Sequence, residues 1–202
     1  MIRTTLLAGT GVIAVLGLGV LRPAAAEPPV YVAVPTQSSL TFIGTQQGER
    51  FTGVIRDFDA RVTFAPEQLA TSRIDVTMRL KSMSTGNAER DAALGDPAWF
   101  DFAHAPTATF RSTAMRPSAG GATADADLVI KGRSKHLLFP FTFRASGATA
   151  TLDARVTLDR LDFAVGGGEW ADDSVVGRKC DVVVHLVLAP AAPSTHATPR
   201  SP

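Results

Sequence analysis

The most constraining feature of this chain is strict two-residue alternation. From Ser72 to Lys81, Ile74, Val76, Met78 and Leu80 alternate with Arg73, Asp75, Thr77, Arg79 and Lys81. Successive side chains of a strand point to opposite faces, so this segment presents one apolar face and one charged face. That is the signature of an antiparallel strand with a wet outer side. The same rhythm returns at Leu40 and Phe42, at Phe51, Gly53 and Ile55, and at Val62 and Phe64. It continues through Ala108 and Phe110, Leu128 and Ile130, and Phe139, Phe141 and Phe143. Leu152, Ala154, Val156 and Leu158 make another strand, and Cys180 to Leu188 the last. Turn residues separate the runs at Gly48, Ala65-Pro66, Ser118–Gly121, Lys131-Gly132 and Ser146-Gly147. Eight or more short strands at regular spacing read as a sandwich or a barrel. Closure hides sheet edges most fully, so the expected fold is all-β: a closed antiparallel barrel of about eight strands.

Helical pattern is confined to two places. Pro66–Ala70 reads as a single turn. Asn87–Leu94 reads as one short helix in a loop, with Thr85 or Asn87 as N-cap and Gly95 as stop. Asp96–Phe100 is a candidate for a further short turn.

The N-terminus sets the expected compartment. Arg3 precedes an apolar run, Leu6–Leu21, and Ala24-Ala25-Ala26 follows as a small-residue cleavage site. These are the parts of a secretory signal peptide. The run is 16 residues with four glycines, short of the roughly 20 that span a bilayer. The expected organisation is a signal peptide at 1–26, a barrel at 27–189 and a disordered tail at 190–202, with a periplasmic location. Removing 1–26 takes away Arg3 and Arg22, which leaves 18 Lys and Arg against 19 Asp and Glu. A near-neutral chain offers no concentrated basic face, so nucleic acid is not an expected partner.

Catalytic and metal chemistry find little support. The single cysteine, Cys180, shares the parity of Val182 and Val184 and reads as a buried free thiol. His104, His136, His185 and His196 show no metal-ligand spacing, and HExxH and GxSxG are absent. Gly166-Gly167-Gly168 is not followed by Lys-Ser/Thr, and Glu169, Asp172 and Asp173 read as a solvated loop. No enzyme activity, metal or required cofactor is expected.

A family resemblance runs through nearly the whole of 27–189. It begins with Ser38-Ser39-Leu40-Thr41-Phe42, Gly48, Phe51-Thr52-Gly53 and Phe58, then Val62-Thr63-Phe64-Ala65-Pro66. The most specific block is Ser84-Thr85-Gly86-Asn87 with Arg90-Asp91, followed by Trp99-Phe100-Asp101, Pro106 and Phe110. Leu128-Val129-Ile130-Lys131-Gly132 and Leu158-Asp159-Arg160 leading to Phe163 complete it. In order and at this spacing, the blocks resemble the YceI-like family of exported, lipocalin-like barrels, often called polyisoprenoid-binding proteins. Two segments depart from the polyisoprenoid branch. Gly166–Trp170 with Ala171-Asp172 and Val175-Val176-Gly177 resembles relatives that often accompany b-type membrane cytochromes. Val34-Pro35 stands where an acidic residue is common.

The resemblance implies a lipocalin-like barrel around a long apolar guest, an isoprenoid or a quinone-type lipid. Strand parity nominates Leu40, Phe42, Phe51, Phe64 and Val76 for the interior, together with Met78, Phe110, Ile130, Phe141 and Phe143. Each either lines a hollow or packs a solid core. Arg90 and Asp91 are candidates for a head group or for a structural ion pair that pins the helix. Strands of about ten residues, at ~3.3 Å each and tilted about 40°, make a tube of roughly 25 Å, room for about five extended isoprene units. Burying ~500 Å² of such a chain is worth about 12 kcal/mol gross at 25 cal/mol/Å². The alternative is an accessory protein for a membrane cytochrome, docking through the 166–177 loop with Trp170 as an exposed anchor. Homodimers are familiar in the family, and the sequence itself leaves the oligomeric state open.

Overall fold

The computed structural model describes residues 27–192. Within them, eleven strand segments form one antiparallel sheet that closes on itself. The expected signal peptide at 1–26 and residues 193–202 of the expected tail lie outside the described residues.

The count of eleven reduces to eight once kinks are recognised. β1 (Val30–Ala33) and β2 (Ser39–Gln46) are two halves of one bent strand, as are β3 (Glu49–Ile55) and β4 (Phe58–Thr63). A third pair of halves is β5 (Arg73–Arg79) and β6 (Met83–Ser84). β2 pairs with β3 and β1 with β4, while β4 pairs with β5 and β3 with β6. The remaining strands are unbroken: β7 (Thr107–Ser118), β8 (Gly121–Ile130), β9 (Arg133–Ser146), β10 (Thr149–Asp159) and β11 (Lys179–Pro190). Neighbours in sequence are neighbours in space, and β11 returns to pair with both halves of the first strand. The result is an eight-stranded up-and-down barrel.

The kinks have local causes. Pro35 opens a one-turn 3-10 segment, Pro35–Gln37, between β1 and β2, where its fixed φ and missing N–H suit a helical first position. The other two kinks lie side by side and share one staple. The Ser82 hydroxyl accepts from the Asp57 amide at 2.9 Å and donates to the Arg79 carbonyl at 2.7 Å.

The two barrel ends differ. At the roof end lie the Gln47-Gly48 and Lys131-Gly132 turns, the segment 85–106 and the segment 160–178. Both two-residue turns have positive φ throughout (52° and 80°, 51° and 70°), the geometry that matches strand twist in tight hairpins. The segment 85–106 carries the one α-helix among the described residues, α1 (Ala88–Ala93). Of the two candidate caps, Asn87 fills the role, accepting from the Arg90 amide at 2.9 Å. Pro66–Ala70, at the floor end, is a pair of hydrogen-bonded turns rather than a helical turn, closed by Gln68 N to Ala65 O at 2.9 Å and Thr71 N to Gln68 O at 3.2 Å.

The closing strand runs further than expected. β11 includes Pro190, and the Ala191 amide donates to the Val30 carbonyl at 2.8 Å, so the tail does not begin at 190.

Inside, large and small residues alternate between neighbouring strands. Ala122 and Ala124 on β8 face Phe141 and Phe139 on β9, and both alanines are buried. Each small residue leaves room for the ring beside it. Towards the floor, Phe64 packs on Phe141 and Phe143 with ring centroids 5.4 and 4.6 Å apart, and Tyr31 meets Phe143 at 5.7 Å.

Candidate functional site

Above the aromatic floor the barrel is hollow. A cavity of about 160 Å³ with an apolar wall runs from Ile74 and Leu186 up to Leu80, Met83 and Cys180. Ile74 and Leu80 are six residue steps apart, which at ~3.3 Å each and a tilt of about 40° gives roughly 15 Å along the barrel axis. The expected 25 Å tube is therefore shortened by its packed lower part.

Six of the ten interior candidates line this cavity: Leu40, Phe42, Val76, Met78, Phe110 and Ile130. Phe42 lies across Gly53, its cross-strand partner, where an added Cβ would meet the ring at 2.1 Å. Only glycine lets the ring lie along the wall. The other four have correct parity and the wrong height. Phe64, Phe141 and Phe143 are the floor. Phe51 sits beyond the cavity at the roof rim, over Gly44, with the Arg90 guanidinium 4.1 Å from its ring centroid.

Arg90 and Asp91 do not pair with each other. Arg90 Nε donates to Gln46 Oε1 at 2.9 Å. Asp91 accepts from the Thr85 amide and hydroxyl, both at 2.6 Å, and from the Ser84 hydroxyl at 2.9 Å. These bonds, the Thr85 hydroxyl foremost, hold the Asp91 carboxyl below its ordinary range. The two residues anchor α1 to β6 and to the first hairpin, and neither reaches the cavity.

The residue that organises the roof is Arg160, 8% exposed. Its Nε donates to Gly177 O at 3.1 Å, Nη1 to Val165 O at 3.0 Å and to Gly166 O, and Nη2 to Trp170 O at 2.5 Å and Val176 O at 2.9 Å. All five guanidinium N–H groups are thus engaged by backbone carbonyls. Burial pushes its pKa down, from a value high enough that the group stays charged. Asp159, just before it, caps the Arg160–Phe163 turn through the Leu161 amide at 3.0 Å and takes Arg178 Nη2 at 2.7 Å. Burial opposes ionisation of Asp159, but the Arg178 and Leu161 donors outweigh it, and the carboxyl lies below its ordinary range.

Around Arg160 the roof segments are tied to one another. The Gly166 amide donates to Ala98 O at 2.8 Å, and Lys131 Nζ donates to Pro97 O at 2.5 Å and Ala164 O at 3.1 Å. Gly166, at φ 63°, has no room for a Cβ between Arg160 and Trp99. Trp170 is half-buried rather than an exposed anchor, because its ring packs on Trp99 at 5.9 Å.

No sequence pattern pointed to Arg160 as a hub. Its partners are carbonyls, which every residue has, so the signal was limited to its place in the Leu158-Asp159-Arg160 block. Cys180 lines the cavity, and burial pushes its thiol up to about 11, which keeps it protonated and unreactive near neutrality. His104, His136 and His185 each sit beside an aspartate, Asp101 at 2.8 Å, Asp127 at 3.3 Å and Asp153 at 2.6 Å. His196 lies outside the described residues. Among the described residues no cluster of three or more His, Cys, Asp or Glu is arranged to hold a metal ion.

The barrel has solved relatives. BcnA from Burkholderia cenocepacia superposes with a TM-score of 0.73 at 31% identity, over 77% of this chain and 98% of that one. The Campylobacter jejuni YCEI protein gives 0.63 at 18% identity, over 69% and 85%. A polyisoprenoid binding domain from Saccharophagus degradans gives 0.64 at 14% identity, over 81% and 99%. Among curated sequences, a UPF0312 protein of Pseudomonas putida (strain W619) is 32% identical over 123 residues, 57% of this chain and 64% of the relative's length. The YceI-like domain matches residues 31–188, from the first strand through nearly all of the last, and the chain belongs to the YceI-like family.

Proposed function

We propose that this protein is exported to the periplasm, catalyses nothing, and holds the tail of an isoprenoid or quinone-type lipid inside its barrel. The observation that carries the reading is the apolar cavity in an otherwise closely packed interior. The five donors of the buried Arg160 beside it are already taken. A hollow with an apolar wall gains by excluding water and has nothing to offer a polar guest. The polyisoprenoid-binding name of the Saccharophagus degradans relative agrees with this reading.

The test is mass spectrometry of an organic extract of protein purified natively from its own host. A stoichiometric isoprenoid or quinone is the expected result, and the intact mass should place the mature N-terminus at Glu27. A barrel that emerges empty and takes up no added quinone overturns the lipid reading.

A second role, docking on a b-type membrane cytochrome through 166–177, draws on Val175, an apolar side chain of that loop left 40% exposed. Binding to such a partner that survives lipid stripping and is lost in Val175→Asp would favour it.

A further inference from the structure

The barrel wall is not laced all the way up. β9 pairs with β8 from Arg133 to Phe141, but with β10 only from Phe141 to Ser146. β10 in turn pairs with β11 from Ala150 to Asp159. Above the Phe141–Ala154 pair, where the β9–β10 ladder ends, the two strands face each other unpaired, each held in place by its other neighbour.

The cause is Pro140. Residues that flank a two-residue hairpin turn exchange both backbone hydrogen bonds, and every second pair after them does the same. Counted from the Ile130–Arg133 pair, the odd-numbered residues of β9 bond to β8. Counted from the Ser146–Thr149 pair, Ser146, Arg144 and Thr142 bond to β10. The next position due is Pro140, which has no N–H to give. Beyond it, Ser134, His136 and Leu138 turn their amides and carbonyls towards the gap, and Arg155 and Thr157 do so from β10.

Exposure changes at the same boundary. Thr142 and Asp153, paired within the ladder, are half-buried, whereas Ser134, His136, Leu138, Pro140, Arg155 and Thr157 are all exposed. Leu138, at 51%, is the most exposed large apolar residue among those described. The upper end of the gap is spanned by an ion pair, Lys135 Nζ to Asp162 Oδ1 at 3.4 Å, with both side chains about half exposed. Such a contact yields at little cost.

We propose that this gap is a strand-acceptor slot, which takes an extended segment of another protein with apolar residues at alternate positions. Two facing rows of unpaired N–H and C=O groups match an extended polypeptide, which offers the same groups to both sides. The alternation follows from parity. A strand laid in the gap turns every second side chain inward, beside Leu137, Val156 and Leu158, apolar residues that are only partly buried. Its other side chains face water beside Leu138 and Thr157. A second barrel cannot supply the strand from its own β9, because the β8 paired to it would meet β10. Strand capture of this kind goes beyond the lipid reading and does not depend on it.

The test is amide hydrogen exchange, followed residue by residue, with and without a blocked heptapeptide of alternating Thr and Val. In the free protein the amides of His136 and Leu138 exchange at least a hundredfold faster than those of Leu137 and Phe139, which bond to β8. The heptapeptide slows His136, Leu138 and Thr157 at least fivefold. The same peptide N-methylated at every second residue does not, since it keeps the side chains and loses the donors along one edge. Pro140→Thr restores the missing N–H and lets the ladder close. Leu138 is then protected without peptide, and the peptide effect is lost. Equally slow exchange of odd and even amides in the free protein overturns the slot, because its donors would already be engaged. So does a heptapeptide that slows none of the three amides, or one that protects equally well when N-methylated. Protection of His136 and Leu138 that rises with protein concentration alone overturns it too, by making a second copy the occupant.

Discussion

At the floor the barrel is closed by side chains: Phe64, Phe141, Phe143 and Tyr31 fill the space between strands whose ladder hydrogen bonds continue around them. At the roof it is closed by loops: two segments and a hairpin turn, tied by Arg160 and Lys131 through carbonyl oxygens, lay buried Phe163, Val165 and Leu94 over the barrel end. The floor is cohesive because its rings pack on one another, and opening it means expanding the sheet itself. The roof can part with the strands left in place, by exchanging protein carbonyls for water and baring Phe163 and Val165. Closure by strand-borne rings makes a stop, and closure by loops makes a door. On the lipid reading proposed above, a guest would enter and leave past the roof.

The most damaging way to probe this contrast is Phe64→Ala. Removing a buried ring costs about 3–5 kcal/mol, and the loss should be global, seen as a lower denaturation midpoint with all amides losing exchange protection together. Local exchange confined to 64–72 would contradict the cohesion of the floor. Arg160→Met should cost about 3 kcal/mol by leaving carbonyls unpaired, and the change should be concentrated. Amides of 160–178 exchange faster while those of β8 and β9 keep their protection, and a bound prenyl alcohol dissociates faster. Uniform destabilisation, or an unchanged off-rate, would remove the distinction between door and stop. Acid should act more gently, through the helix anchor. The native pKa of Asp91 lies below its unfolded value of about 3.9. Its stabilising contribution is therefore complete above about pH 4 and is lost as pH falls through the depressed native value. Asp91→Asn should flatten this part of the acid unfolding curve, and the Thr85 amide of the variant should already exchange fast at pH 7. An acid curve identical to wild type would show that Asp91 does not hold α1 in place.

Much of the fold was legible because a strand writes its two faces into alternate residues. Ser72–Lys81 announced β5, and turns such as Lys131-Gly132 announced the hairpins. Parity, however, encodes the face and not the height. Phe141 and Phe143 carry the same signal as Phe110, yet only Phe110 borders the hollow. The kinks stayed hidden because Ser82, which staples two of them, looks like any polar residue. The alanines of β8 were silent because their role is to yield space to Phe139 and Phe141. The roof was least legible of all. Arg160 bonds to main-chain atoms at positions 165 to 177, and nothing in the identity of those residues marks them as its partners.

The pairing of β11 with β10, β2 and β1 also fixes an order of events. A chain made from its N-terminus produces this strand last, and the two strands it must join, β1 and β2, among the first. Until β11 arrives, β10 on one side and β1 with β2 on the other present bare rows of N–H and C=O groups, the kind of edge that recruits stray strands. Loss of β11 would yield a sticky open sheet where a trimmed loop would leave a usable container.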